Sequence, residues 1–255
     1  GGLVAFPTET VYGLGARADR SDAVRGIFAA KGRPSGNPLI VHVADRDAAR
    51  SLAAEWPEVA DALAGAFWPG PLTLVVTCAP GAVAGEVTAG GSTVGVRVPA
   101  HPVALALLRE AGVPVAAPSA NRSTTISPTT AEHVMKTLDA AIDVVLDAGP
   151  TGFGIESTIV DVSRAPMRLL RHGAISLEVI ARFGEVVDAT VSAVEVATRA
   201  DAPGMHAKHY APRARTRLVP AGEVRGAVEV EAASGARVGA IERGPVTTKG
   251  LVSEG

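Results

Sequence analysis

Apolar residues recur along this chain with two alternating periods, and the alternation predicts its elements. In "SDAVRGIFAAK" (21–31), Val24, Ile27 and Phe28 share one helical face, with Ser21 or Asp22 as the cap and an end near Lys31. Further helices are predicted from Asp45 through "DRDAARSLAAEW", from Pro57 to Phe67, over 101–112 with Gly112 as the stop, over 130–138 and over 176–184. Short apolar runs bounded by turn residues predict strands over 3–7, 38–43, 72–78, 93–99 and 142–149. "VPVAAPSAN" reads as a strand and loop, "STIVDVS" and "MRLLRHG" as two more strands, and "TETVYGLG" (8–15) as a polar turn.

Several of these strands follow one another directly, so the expected architecture is α/β with a twisted mixed sheet and flanking helices. Residues 1–184 are read as one such unit. "DATVSAVEVATRADAP" (188–203) has no periodicity, which makes 185–212 a linker. Beyond it, "TRLVP" and "ARVGAIE" read as strands of a second α/β unit, 213–255. No internal repeat or low-complexity tract is visible.

Composition narrows the class. With 47% hydrophobic and 20% charged residues, the 255-residue chain has material for a large core, built from Ala, Val and Leu because aromatics are only 4%. A net charge of -2 argues against overall nucleic-acid binding but leaves room for a local basic cleft. Cys78, the single cysteine, permits no internal disulfide and reads as a small core residue, which fits a reducing cytoplasm. No apolar run approaches the roughly 20 residues of a membrane span, and the opening "GGLVAFPTETVYGLG" does not itself read as a signal peptide.

Four polar clusters fall at predicted strand ends, where open α/β sheets place their ligands. They are "PTETVYGLG" with Thr8, Glu9, Thr10 and Tyr12; "KGRPSGNPLIVHV" (31–43); "APSANRS" with Ser119, Asn121 and Arg122; and "GIESTIVD" with Glu156, Ser157 and Thr158. Each alone is compatible with ordinary turn chemistry, since Ser, Asn and Gly populate turns anyway. Together with Lys31, Arg33, Arg97 and Arg171 beside strand ends, they describe a polyanion site with room for a small hydroxylated ligand. There is no P-loop motif and no Cys/His spacing for zinc; His42, inside a strand, reads from the pattern alone as a core histidine.

Taken in order, "PTETVYGLG", "KGRPSGNPLIVHV", "TVGVRVP", "APSANRS", "GIESTIVD" and "LLRHGAIS" resemble the YrdC/Sua5 family, the threonylcarbamoyl-AMP synthases, over nearly all of 3–183. "PGMHAKHYAP" (203–212) resembles the linker of the two-domain Sua5 branch. The resemblance implies a YrdC-like sheet around a basic cleft and a partial, Rossmann-like Sua5 C-terminal domain. It also implies family segments ahead of Gly1, so the N-terminus is read as incomplete.

The implied reaction joins L-threonine, bicarbonate or CO2, and ATP into threonylcarbamoyl-AMP and pyrophosphate, for threonylcarbamoyl-adenosine modification of tRNA by downstream transferase machinery. On the family pattern, Lys31 and Arg33 are catalytic and hold the triphosphate, with Mg2+ bound through the phosphates and no protein metal ligands assigned. Asn37, Thr93, Ser119, Asn121, Ser127, Arg171 and the linker's Tyr210 match nucleotide positions, Tyr210 as part of a lid. Thr10, His42, Arg97, Ala117 (through its backbone) and Ser157 match threonine positions. Two rivals carry different predictions. An RNA-binding module of the same fold conflicts with the acidic charge and few aromatics, direct tRNA binding being left open. A hydrogenase-maturation carbamoyl-adenylate role would need zinc-finger cysteine pairs that one cysteine cannot supply.

Overall fold

The computed structural model describes residues 2–190, 216–235 and 237–240. The chain divides into two compact units, Gly1–Ala211 and Pro212–Gly255.

The first unit is built on a ten-stranded mixed sheet. Its strands are β1 (Val4–Phe6), β2 (Gly13–Arg17), β3 (Ile40–His42), β4 (Leu72–Thr77), β5 (Thr93–Arg97), β6 (Val115–Ala116), β7 (Val144–Val145), β8 (Thr158–Asp161), β9 (Met167–Arg171) and β10 (Val186–Asp188). They lie in the order β10-β9-β8-β4-β5-β3-β6-β2-β1-β7. The helices are α1 (Ser21–Lys31), α2 (Arg46–Arg50), α3 (Glu58–Phe67), α4 (Pro102–Ala111), α5 (Ala131–Leu138) and the short α6 (Leu177–Ile180).

Strand periodicity separates two faces. Val41, Leu74, Val76, Val96, Val160 and Leu169 join the main core with Val24, Ile27 and Phe28 of α1. Burying each such side chain contributes roughly 1.5–3 kcal/mol. The alternate residues Ile40, Val75, Ile159 and Leu170 form a separate cluster, and Phe6, Val115 and Ala117 form another with Ala104 and Leu108 of α4. Polar site residues share that second face. His42 pairs with Arg97 and Val115 in register, and Ile159 pairs with Arg171.

Several expectations need correction. β2 occupies part of the stretch read as a turn. Gly15 is crowded there, because a Cβ on it would lie 2.8 Å from Phe6 Cε1 and 2.9 Å from Val115 Cγ1. Neither Ser21 nor Asp22 caps α1; Arg20 is its N-cap with no side-chain bond, and the Ser21 hydroxyl donates to Glu86 Oε2 at 2.9 Å. Asp45 does cap α2 by accepting from the Ala48 amide at 2.8 Å, but the helix ends at Arg50 rather than reaching Trp56. The sheet continues past residue 184, since β10 runs parallel to β9 within the segment read as linker.

In the second unit, 216–220 and 237–240 are not strands, and the regular element is a helix, α7 (Val224–Ala233), behind a 3-10 turn at Ala221–Glu223. The rest of "ARVGAIE" lies outside the described residues, as do 191–215, which hold most of the linker. Among the described residues, no helix is long and apolar enough to cross a membrane.

A candidate anion and amino-acid site

An open cleft is lined by Thr8 and Thr10 before β2, Arg33 after α1, His42 of β3, Arg97 of β5, Ala117 and Ser119 after β6, Glu156 and Ser157 before β8, and Arg171 of β9. Seven separate segments therefore converge on it, as expected at the strand ends of an open sheet.

Arg97 is 4% exposed and held from two sides: Nε donates to the Gly70 carbonyl at 3.2 Å, and Nη2 to Glu9 Oε1 at 2.6 Å. Its Nη1 has no hydrogen-bond partner among the described residues, which leaves a cationic donor for a ligand. The other Glu9 oxygen accepts from the Ala100 amide at 3.0 Å. Beside Arg97, His42 is buried edge-on to Phe6, and its Nδ1 has no hydrogen-bond partner among the described residues. Burial, then the Arg97 charge, push its pKa down to about 3, so the ring is a neutral dipole at any working pH.

Arg171 forms the cationic wall nearest Glu156. Its Nη1 is ion-paired with Glu156 Oε2, its Nε donates to the Ser157 carbonyl at 2.9 Å, and its Nη2 donates to Ser157 Oγ at 3.0 Å. Ser157 Oγ also lies 2.8 Å from Thr73 Oγ1, and Ser127 Oγ donates to Glu156 Oε1 at 2.8 Å. Arg33 reaches the cleft while donating to the Pro38 carbonyl at 3.0 Å.

Lys31 does not line the cleft. α1 ends with Gly32 in the left-handed conformation, φ 59°, which turns the chain sharply toward Arg33. The Lys31 ammonium, 2% exposed, donates to the Ser119 and Asn121 carbonyls at 2.5 Å each and lies 3.4 Å from Asn121 Oδ1. Burial first, and Arg33 next, pull its pKa down to about 7, opposed by Glu156. Asn121 spends its amide nitrogen on the Thr125 carbonyl at 2.8 Å.

Thr10, His42, Arg97, Ala117 and Ser157, the expected threonine positions, all line this one cleft, together with Arg33, Ser119 and Arg171 from the nucleotide set. Thr93 lines a neighbouring, mostly apolar cavity with Ile40, Thr73 and Val87. Asn37 lines neither, but it is buried beside both: its carbonyl lies 3.4 Å from Arg33 Nε, and its Oδ1 has no partner among the described residues. Tyr210 lies outside the described residues. The pattern did not reveal that Glu9 and Glu156 pair with the two arginines; only their presence in the polar clusters hinted at a role.

Fold and site define a mixed α/β protein with a cleft lined by three arginines at its strand ends. Residues 1–173 match the Sua5_yciO_yrdC model, described as telomere recombination, and 175–253 match Sua5_C, the threonylcarbamoyl-AMP synthase C-terminal domain. The chain belongs to this family, in its two-domain Sua5 branch.

It is 52% identical to the threonylcarbamoyl-AMP synthase of Bacillus subtilis (strain 168) over 83% of this chain and 61% of that one. It is 48% identical to the synthase of Pyrococcus abyssi (strain GE5 / Orsay) over 90% of this chain and 68% of that one. It thus spans about two thirds of these relatives' lengths. The crystal structure of P. abyssi Sua5 complexed with L-threonine superposes with a TM-score of 0.89 at 44% identity, covering 96% of this chain and 74% of that one.

Proposed function

We propose that this chain is a nucleotidyltransferase that makes threonylcarbamoyl-AMP and pyrophosphate from L-threonine, CO2 or bicarbonate, and ATP. The product would feed threonylcarbamoyl-adenosine modification of tRNA through a downstream transferase. The observation that carries the reading is the convergence of Thr10, His42, Arg97, Ala117 and Ser157 on one cleft shared with Arg33 and Arg171. The threonine-bound P. abyssi relative supports it.

In this reading Arg97 takes the amino-acid carboxylate, its charge partly offset by Glu9 so that the sub-site suits an amino acid rather than a free polyanion. Neutral His42 and the Ser157 hydroxyl offer hydrogen bonds to the ligand without adding charge. The threonine nitrogen adds to CO2 with loss of a proton, and the carbamate oxygen then forms a bond to the α-phosphorus as the bond to pyrophosphate breaks. Catalysis is positioning and charge stabilisation, with no protein nucleophile. Arg33 and Arg171 line the wall along which phosphate charge builds. Lys31 holds the Ser119–Asn121 loop and adds its charge from behind; direct contact with a phosphate would exchange its carbonyl partners for phosphate oxygens. Among the described residues, no group of three or more His, Cys, Asp or Glu side chains is arranged to hold a metal ion. In this proposal Mg2+ enters with ATP, coordinated by the triphosphate oxygens.

The test is incubation of the chain with ATP, L-threonine, bicarbonate and Mg2+, reading pyrophosphate and the adenylate. Pyrophosphate should require both threonine and bicarbonate. Full-rate release without threonine would overturn the proposal, and salt-sensitive RNA binding with no pyrophosphate would favour the RNA-binding alternative.

A further inference from the structure

Glu9 and Glu156 pair with two of the three arginines that line the cleft, Arg97 and Arg171 respectively. Glu9 touches Arg97 and the Ala100 amide and no other site residue. Glu156 accepts from Ser127 with one oxygen and pairs with Arg171 through the other, while Arg171 in turn holds both the hydroxyl and the carbonyl of Ser157. Ser127 and Arg171 belong to the nucleotide set and Ser157 to the amino-acid set. The loops bearing the two carboxylates are strapped together, because the Phe153 amide donates to the Glu9 carbonyl at 2.9 Å and the Gly154 amide to the Thr10 carbonyl at 3.0 Å.

We propose that Glu9 and Glu156 are positioning residues of different reach: Glu9 orients Arg97 for the amino acid alone, and Glu156 holds the nucleotide and amino-acid sub-sites in one shared geometry. Neither carboxylate is needed as a base or a metal ligand in the reaction above. Each is too well occupied for that, with Glu9 Oε1 at 2.6 Å from a guanidinium and Glu156 bonded through both oxygens. A buried guanidinium without its carboxylate has several carbonyls and water to choose among, so its direction is lost before its charge is. The inference rests on the synthase reading, which names the ligands.

The experiment measures direct binding of ATP and of L-threonine to the chain, by calorimetry, for wild type, Glu9→Gln, Glu156→Gln, Ser127→Ala and the Glu156→Gln/Ser127→Ala double variant. Thermal melts of each confirm the fold. Glu9→Gln should weaken L-threonine about tenfold or more and leave ATP within about twofold. Glu156→Gln should weaken both ligands about tenfold. Ser127→Ala should weaken ATP only, and the double variant should bind ATP no worse than Glu156→Gln, because the two share one hydrogen bond. A folded Glu9→Gln that loses both ligands equally, a Glu156→Gln that loses only one, or additive losses in the double variant would overturn the proposal while leaving the synthase reading standing. Absence of binding by the wild type would overturn that reading, and the proposal with it.

Discussion

His42 and Arg97 stand opposite each other in register across the parallel pair of β3 and β5. A buried cation is thereby fixed beside a buried imidazole; burial first, and then the Arg97 charge, keep the ring uncharged, with a pKa of about 3 against an ordinary 6.5. A base depressed in this way binds fewer protons folded than unfolded between those two values. Stability should therefore fall as pH drops through the window from about 6.5 to about 3. Melts at pH 7 and pH 4.5 should show that fall, and it should shrink in His42→Gln, which cannot titrate. An equal pH dependence in that variant would mean the ring is protonated in the folded chain.

Lys31 makes a second pH prediction. Its pKa of about 7, against 10.5 for a free lysine, leaves it mostly neutral in the free protein at pH 8. A bound triphosphate, fully ionised at that pH, restores the charge, so ATP binding should take up a proton there. Calorimetry at pH 8 in buffers of different ionisation enthalpy measures the uptake. It should vanish in Lys31→Met, and a wild type with no uptake would contradict the assignment.

Removing Arg33 or Lys31 should lower the rate, and Lys31→Ala should lower stability as well, because it leaves the Ser119 and Asn121 carbonyls without the ammonium that donates to them. Arg33→Ala and Lys31→Ala should each cost on the order of 3 kcal/mol of transition-state stabilisation, roughly a hundredfold in turnover. Near-normal pyrophosphate release in both variants would show that the phosphates lie elsewhere.

Arg97→Lys keeps a charge facing Glu9 but removes the planar fork, so L-threonine affinity should drop roughly 10- to 100-fold with ATP affinity little changed. Separate titrations of the two ligands decide this. Parallel losses would mean that Arg97 serves both sub-sites.

Gly173 sets the site from outside it. A Cβ there would lie 2.3 Å from the Thr158 nitrogen and 2.6 Å from the Glu156 carbonyl oxygen, both backbone atoms that cannot rotate away. Gly173→Ala should destabilise the chain by about 1–3 kcal/mol and displace the Glu156–Ser157 segment. Denaturant melts and ligand titrations should move together; a variant of wild-type stability would refute the crowding.

The sequence by itself determined most elements and the chemistry of the cleft. Helix α1 follows from Val24, Ile27 and Phe28 at helical spacing, and α4 from an apolar run that stops at Gly112, whose φ is 60°. Four clusters of cations, hydroxyls and amides beside strand ends pointed to an anion site, and the folded sheet brings members of all four to one cleft. What the sequence left open was which residues share a face and which pair. Alternation tells the two sides of one strand apart but carries no register between strands distant in the chain. Only the folded sheet sets Glu9 against Arg97, 88 positions away, and turns Lys31 onto the carbonyls of Ser119 and Asn121 instead of into the cleft. β2 escaped the pattern for a related reason: Gly13 and Gly15 look like turn residues until the Phe6 ring is known to lie over them. Local spacing fixes local structure, whereas ion pairs and close approaches depend on long-range closure of the sheet.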